Sequence, residues 1–127
     1  MSIKKIITGL ILLLLLASGV ASADGNELLA DCQLVVNHMD SGKSAQNDQL
    51  QMGQCIGLSN GVRTTMSMFN RELTDDSILR ACFPEDGINN GQAVRIITSY
   101  LQKNPAKLHM HESILAIMAF IDAYPCK

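Results

Sequence analysis

The stretch Gly57-Leu58-Ser59-Asn60-Gly61 decides how the chain is read. It fits G-x-S-x-G, the nucleophile elbow of many hydrolases, and Asp75, Asp76 and Asp86, then His109 and His111, follow Ser59 in the order that α/β-hydrolases use. That motif has meaning only on a sharp turn between a strand and a helix, with a wide parallel sheet behind it. The preceding residues, "DQLQMGQCI", instead continue a helical pattern: Met52, Cys55, Ile56, Ser59, Val62, Met66 and Phe69 recur at steps of three and four. The stretch therefore reads as the middle of a long helix over about 45–69, and Ser59 as a small residue on its buried stripe. Its hydroxyl is expected to bond to a backbone carbonyl one turn earlier.

On that helix Gly53, Gly57 and Gly61 recur every four residues, so they share one ridge. Each glycine weakens a helix by about 1 kcal/mol against alanine. Three on one face predict a groove in which another helix packs closely enough to offset that cost.

Outward from this helix, the chain begins with "MSIKK", a basic segment, then "IITGLILLLLLASGV", an apolar run, then small residues at Ala21 and Ala23. This is the pattern of a secretory signal peptide over residues 1–23, cleaved to leave a single domain at 24–127. Asp24 and Glu27 stand three apart before "LLADC", as an N-cap and its N3 partner do. Removing Lys4 and Lys5 leaves eight basic residues against twelve acidic ones, a net charge of −4. No basic cluster or aromatic platform suggests nucleic acid, and no membrane segment is expected once the signal is cleaved. In an exported chain Cys32, Cys55, Cys82 and Cys126 read as two disulfides and not as zinc ligands, which favour close C-x-x-C pairs. Spacing alone leaves all three pairings open.

Further helices are predicted over about 25–39, with Leu28, Leu29, Cys32, Val35, Val36 and Met39 on one face, and over 92–103, with Val94, Ile97 and Leu101 as the stripe. The last helix, about 111–123, contains "ILAIMAFI" and is apolar nearly all round, as a helix at the centre of a bundle is. Between them Thr74 can cap a turn or two of helix in "LTDDSILRAC", and "FPEDGINNG" is loop chemistry. The fold class is all-α: a compact bundle of four main helices plus a short one, stapled by disulfides.

No catalytic constellation assembles along the chain. His109 and His111 point about 200° apart if helical and read as solvated or cap-bonded; His38 sits near a helix end, where the dipole favours it. Asp75-Asp76 and Glu85-Asp86 are adjacent in sequence, which is not convergence across a cleft. Met52 and Met66 belong to the core stripe, while Met39, Met68, Met110 and Met118 could serve an interface. No cofactor or metal is implied.

Three pieces read together, "CIGLSNGV", "ACFPEDGINNGQAVRIITSYLQKNP" and "LHMHESILAIMAFIDAYPC", resemble the Tai and Rap immunity family of type VI secretion. The most specific parts are Cys82-Phe83-Pro84, Tyr100-Leu101 with Pro105, and Tyr124-Pro125-Cys126. The resemblance implies an α-helical periplasmic protein, often a homodimer, that binds a delivered toxin and blocks its active-site cleft; many such toxins are peptidoglycan amidases with a catalytic cysteine and histidine. It also implies the pairs Cys32–Cys55 and Cys82–Cys126. Loops of these lengths stabilise by roughly 3 to 4 kcal/mol each in the chain-entropy model.

An inhibitor needs a rigid, polar, protruding segment. The loop carrying Glu85, Asp86, Asn89 and Asn90 is the first candidate, being acidic and tied at one end through Cys82. Asn70-Arg71-Glu72 with Thr74-Asp75-Asp76 is the second. The alternative function, a small periplasmic acid-stress chaperone, is disfavoured by two disulfides and few lysines on a modestly charged surface.

Overall fold

The structure, a computed structural model, describes residues 23–43, 46–74 and 77–126. The expected signal peptide falls, except for Ala23, outside the described residues, as do Asp75 and Asp76. Four α-helices build the domain: α1 (Gly25–Ser41), α2 (Gln49–Phe69), α3 (Asn90–Lys103) and α4 (Glu112–Ala123), with 3-10 turns at Gln46–Asp48 and Pro105–Lys107. Among the described residues there is no strand, only the isolated bridges Asp24–His111 and Ala81–Pro125.

Local chemistry sets the helix ends. The Asp24 carboxylate accepts from the amides of Asn26 (2.9 Å) and Glu27 (3.2 Å), the N-cap that the D-x-x-E spacing predicts. Gly42, at φ +67°, closes α1 by donating its amide to the His38 carbonyl at 2.8 Å. Asn89 caps α3 through its side chain, and the Nδ1 of His111 caps α4 by accepting from Ser113. The short helix expected near Thr74 is not formed over 77–80, where the Ser77 and Arg80 amides close turns onto Thr74 and Ser77. The short helical pieces instead flank α2 and α4, the second starting on Pro105.

Helix α3 contributes more buried residues to the core than the last helix does. It packs against all three other helices and buries Ala93, Val94, Ile97, Tyr100 and Leu101. Helix α4 buries Leu115, Ala116, Ala119 and Phe120, yet Ile114 is 48% exposed and Ile117, Met118 and Ile121 are only half-covered. Its all-round apolar composition thus reflects two faces, one in the core and one uncovered.

On α2 the stripe holds at Cys55, Ser59 and Met66, but Phe69, the last residue of the helix, is 58% exposed. Among the described residues the glycine ridge packs against no other helix. Gly53, Gly57 and Gly61 are exposed, and a Cβ on any of them would meet nothing within 4 Å. Gly25 is the glycine that close packing requires: a Cβ there would collide with Leu115 Cδ1 and lie 2.9 Å from the Leu108 carbonyl oxygen.

Two disulfides staple the bundle. Cys32–Cys55 joins α1 to α2 at a Cα–Cα distance of 5.2 Å, and Cys82–Cys126 joins the loop before α3 to the C-terminus at 5.0 Å. These are the pairs that the family resemblance implies. An exposed ion pair of Asp40 and Arg95 links the end of α1 to α3, and the bond from Arg95 holds the Asp40 carboxyl below its ordinary range. Asp31 is a buried carboxyl that the pattern of α1 does not announce. Burial pushes its pKa up, helped by the negative charges of Glu27 and Glu112.

Candidate functional site

Ser59 is not presented as a nucleophile. It is 1% exposed, faces the core, and its hydroxyl makes neither the expected bond to a carbonyl one turn back nor any other. A serine nucleophile needs an adjacent base and an open approach. Thr98, by contrast, does bond to the Val94 carbonyl at 2.8 Å. Among the described residues no group of three His, Cys, Asp or Glu is placed to hold a metal, and His109 lies exposed on the surface.

The best-constructed polar feature is the loop between Cys82 and α3. Pro84, Glu85, Asp86 and Gly87 form a β-turn closed by a 2.8 Å bond from the Gly87 amide to the Pro84 carbonyl. Gly87 has φ +70°, a conformation that favours glycine. Glu85 and Asp86 are therefore the two central residues of the turn, and both are exposed.

Everything around that turn is fixed. On the incoming side Cys82 is disulfide-bonded and donates its amide to the Tyr124 carbonyl at 2.8 Å, and Phe83 packs edge-on against Phe120 and tilted against Tyr124, at 5.6 and 5.4 Å. On the outgoing side Ile88 inserts into the core at 6% exposure. The Asn89 oxygen caps α3 by accepting from Gln92 at 2.8 Å, and the Asn90 oxygen accepts from Arg63 at 3.2 Å. Of the four predicted effector-binding residues, the loop thus displays Glu85 and Asp86 at its tip and uses Asn89 and Asn90 to hold itself in place.

Beside the turn lies a cleft of about 540 Å³ between the C-terminal half of α2 and the loop, lined by Arg63, Ser67, Arg71, Glu72, Phe83 and Gly87 among others. The structure therefore brings the described part of the second candidate segment against the first: Arg71 and Glu72 share one cleft with the turn. Asn70 is occupied structurally, donating its side-chain amide to the Ala81 carbonyl at 2.5 Å. Arg63 went unnoticed in the sequence because a single arginine on the polar side of a helix carries no pattern; its proximity to Asn90 appears only once α2 and α3 are packed.

A second surface is apolar. Ile78 and Leu79, 86% and 56% exposed, border a depression of about 500 Å³ with Ile114, Ile117, Met118 and Ile121 of α4. Next to it Gly57, Leu58, Gly61, Val62 and Ile117 line another of about 350 Å³. Among the described residues no helix is long and apolar enough to cross a membrane.

The described part of the chain is thus a disulfide-stapled helical domain that presents a braced acidic turn. The family model for Rap1a immunity proteins matches residues 24–126, and the chain belongs to that family. As an immunity protein it binds a cognate effector protein. Comparison with curated proteins and with solved structures found no match.

Proposed function

We propose that the chain is exported, cleaved after Ala23, and acts in the periplasm against a type VI secretion effector of the peptidoglycan amidase class. It works by seating the Glu85–Asp86 turn in the effector's active-site cleft and does not itself catalyse a reaction. The observation that carries this reading is the turn: two exposed carboxylates at the tip of a loop fixed on both sides by a disulfide, aromatic contacts, a buried isoleucine and a helix cap. A segment already ordered before binding loses little entropy on docking. Carboxylates suit a cleft that holds a catalytic histidine, which they can meet by a charge-assisted hydrogen bond. The two disulfides support an oxidising compartment.

The same reading includes a homodimer. Its support is the apolar surface of α4 with Ile78 and Leu79, continuous at Ile117 with the depression over Gly57 and Gly61, since contiguous exposed apolar area marks an association site. The glycine ridge is then a packing surface between copies and not within one.

The test is inhibition of a panel of purified cysteine–histidine peptidoglycan amidases by the mature chain, followed by titration with Glu85→Ala, Asp86→Ala and the double variant. A loss of at least about tenfold in affinity for the double variant is expected from two charge-assisted contacts; unchanged affinity rules out the turn as the inhibitory element.

A further inference from the structure

The braced turn has one contact that no covalent or apolar anchor explains. Gly87, with its left-handed backbone, separates the exposed tip from buried Ile88, so the angle of the tip depends on what holds the peptide just after it. That peptide is held by Arg63 of α2. One guanidinium nitrogen donates to the Ile88 carbonyl, and the other donates to Asn60 Oδ1 at 2.6 Å, three residues back on the same helix, and to Asn90 Oδ1 at 3.2 Å, on the first turn of α3. One planar fork thus joins α2, the loop and α3, and only arginine offers several donors in such a fixed arrangement. Each acceptor here is a neutral oxygen, so these bonds do not neutralise the guanidinium charge, and Arg63 also lines the cleft beside the turn.

We infer that Arg63 is a positioning residue for effector binding: it holds the Ile88 carbonyl so that the Glu85–Asp86 tip stands at a fixed angle to α2 before the effector arrives. The role rests on the reading of the turn as the inhibitory element. Arg63 acts through the loop, and its removal leaves Ile88 and the disulfide to keep the loop attached but free to pivot at Gly87.

Arg63→Lys and Asn90→Ala, made in the full mature chain, test this with two independent readouts. The first, hydrogen exchange of the peptide 84–91 in the protein alone, is expected to speed up about tenfold in Arg63→Lys, since a lysine keeps the charge but not the fork, and less in Asn90→Ala, which removes one of three acceptors. The second is the dissociation rate of whichever panel amidase the wild-type chain inhibits, expected to rise about tenfold in Arg63→Lys, where the loop must be ordered on binding. Exchange in 84–91 that matches wild type in Arg63→Lys overturns the clamp, whatever the binding result. Faster exchange with an unchanged dissociation rate also overturns the positioning role, and in that case it is the turn that fails as the contact site.

Discussion

Replacing Gly53, Gly57 and Gly61 by alanine, singly and together, is expected to stabilise the folded protomer. Glycine in a helix interior is about 0.8 to 1 kcal/mol less favourable than alanine, partly because alanine restricts the unfolded chain. Nothing opposes that gain within the protomer, because an added Cβ at each position meets no atom within 4 Å. The triple variant is therefore expected to gain about 2.5 to 3 kcal/mol. For a domain of this size 1 kcal/mol moves Tm by about 4 °C, so the melt should rise by about 10 °C. Gly25→Ala is the internal control and should act in the opposite sense by about 1 to 3 kcal/mol, since its Cβ would press on Leu115 and the Leu108 backbone. Thermal melts followed by circular dichroism over a dilution series give both values. In the same series Gly57→Ala and Gly61→Ala, which line the apolar depression, should shift self-association toward monomer, while Gly53→Ala should not. A lower Tm for the single alanine variants at dilutions where the protein is monomeric would refute the outward orientation of the ridge and place a second helix of the chain against it.

Ser59→Ala removes a buried hydroxyl that has no partner and adds helix propensity, so it should raise stability by about 1 kcal/mol and leave inhibition of the effector intact, checked by melt and inhibition assay. Replacing Cys82 and Cys126 together by serine opens a closed loop of sequence separation 44 and should cost about 4 kcal/mol, measured by urea denaturation, with faster exchange throughout 82–88. Asp31→Asn should stabilise at neutral pH. The folded pKa of Asp31 is raised, so its carboxyl holds its proton more tightly in the folded state, and stability falls as pH rises from the ordinary carboxylate value near 4 through the raised value. The variant's advantage over wild type should therefore be largest above that window and vanish below about pH 4, as read from melts across the pH series.

The helices were legible because each carries its own record. Three-and-four spacing locates α1, α2 and α3, and Asp24 marks the start of α1 by local hydrogen-bond chemistry that needs no tertiary knowledge. What failed was orientation. The glycines of α2 and the second apolar face of α4 announce small or greasy surface, and periodicity does not say whether the surface that covers it belongs to the same chain. The same blindness affects the site. Glu85 and Asp86 could be picked out as the tip of a loop because proline and glycine bracket them, whereas Asn89 and Asn90 look equally suitable until α3 begins one residue later and commits one to a cap and the other to Arg63. Arg63 lies 25 residues from the carbonyl it holds, a contact that only the packing of α2 beside the loop creates. Asp31 was hidden for the converse reason: a carboxylate between Leu28 and Val35 breaks the apolar pattern and is read as surface.

The tethers at the two ends of α4 set an order of events as the chain emerges. Its N-terminal end is clipped to the start of α1 through the Asp24–His111 bridge and the bond from the Gly25 amide to Met110, and its C-terminal end is tied to the loop through Ala81–Pro125 and Cys82–Cys126. Asp24 and Gly25 thus wait for partners nearly ninety positions later, and the loop waits for Cys126. A chain synthesised from its N-terminus cannot close either tether until α4 and the residues just after it have been made. Until then the loop that carries Glu85 and Asp86 lacks its covalent brace, and it acquires its fixed shape late, once Cys126 has oxidised with Cys82.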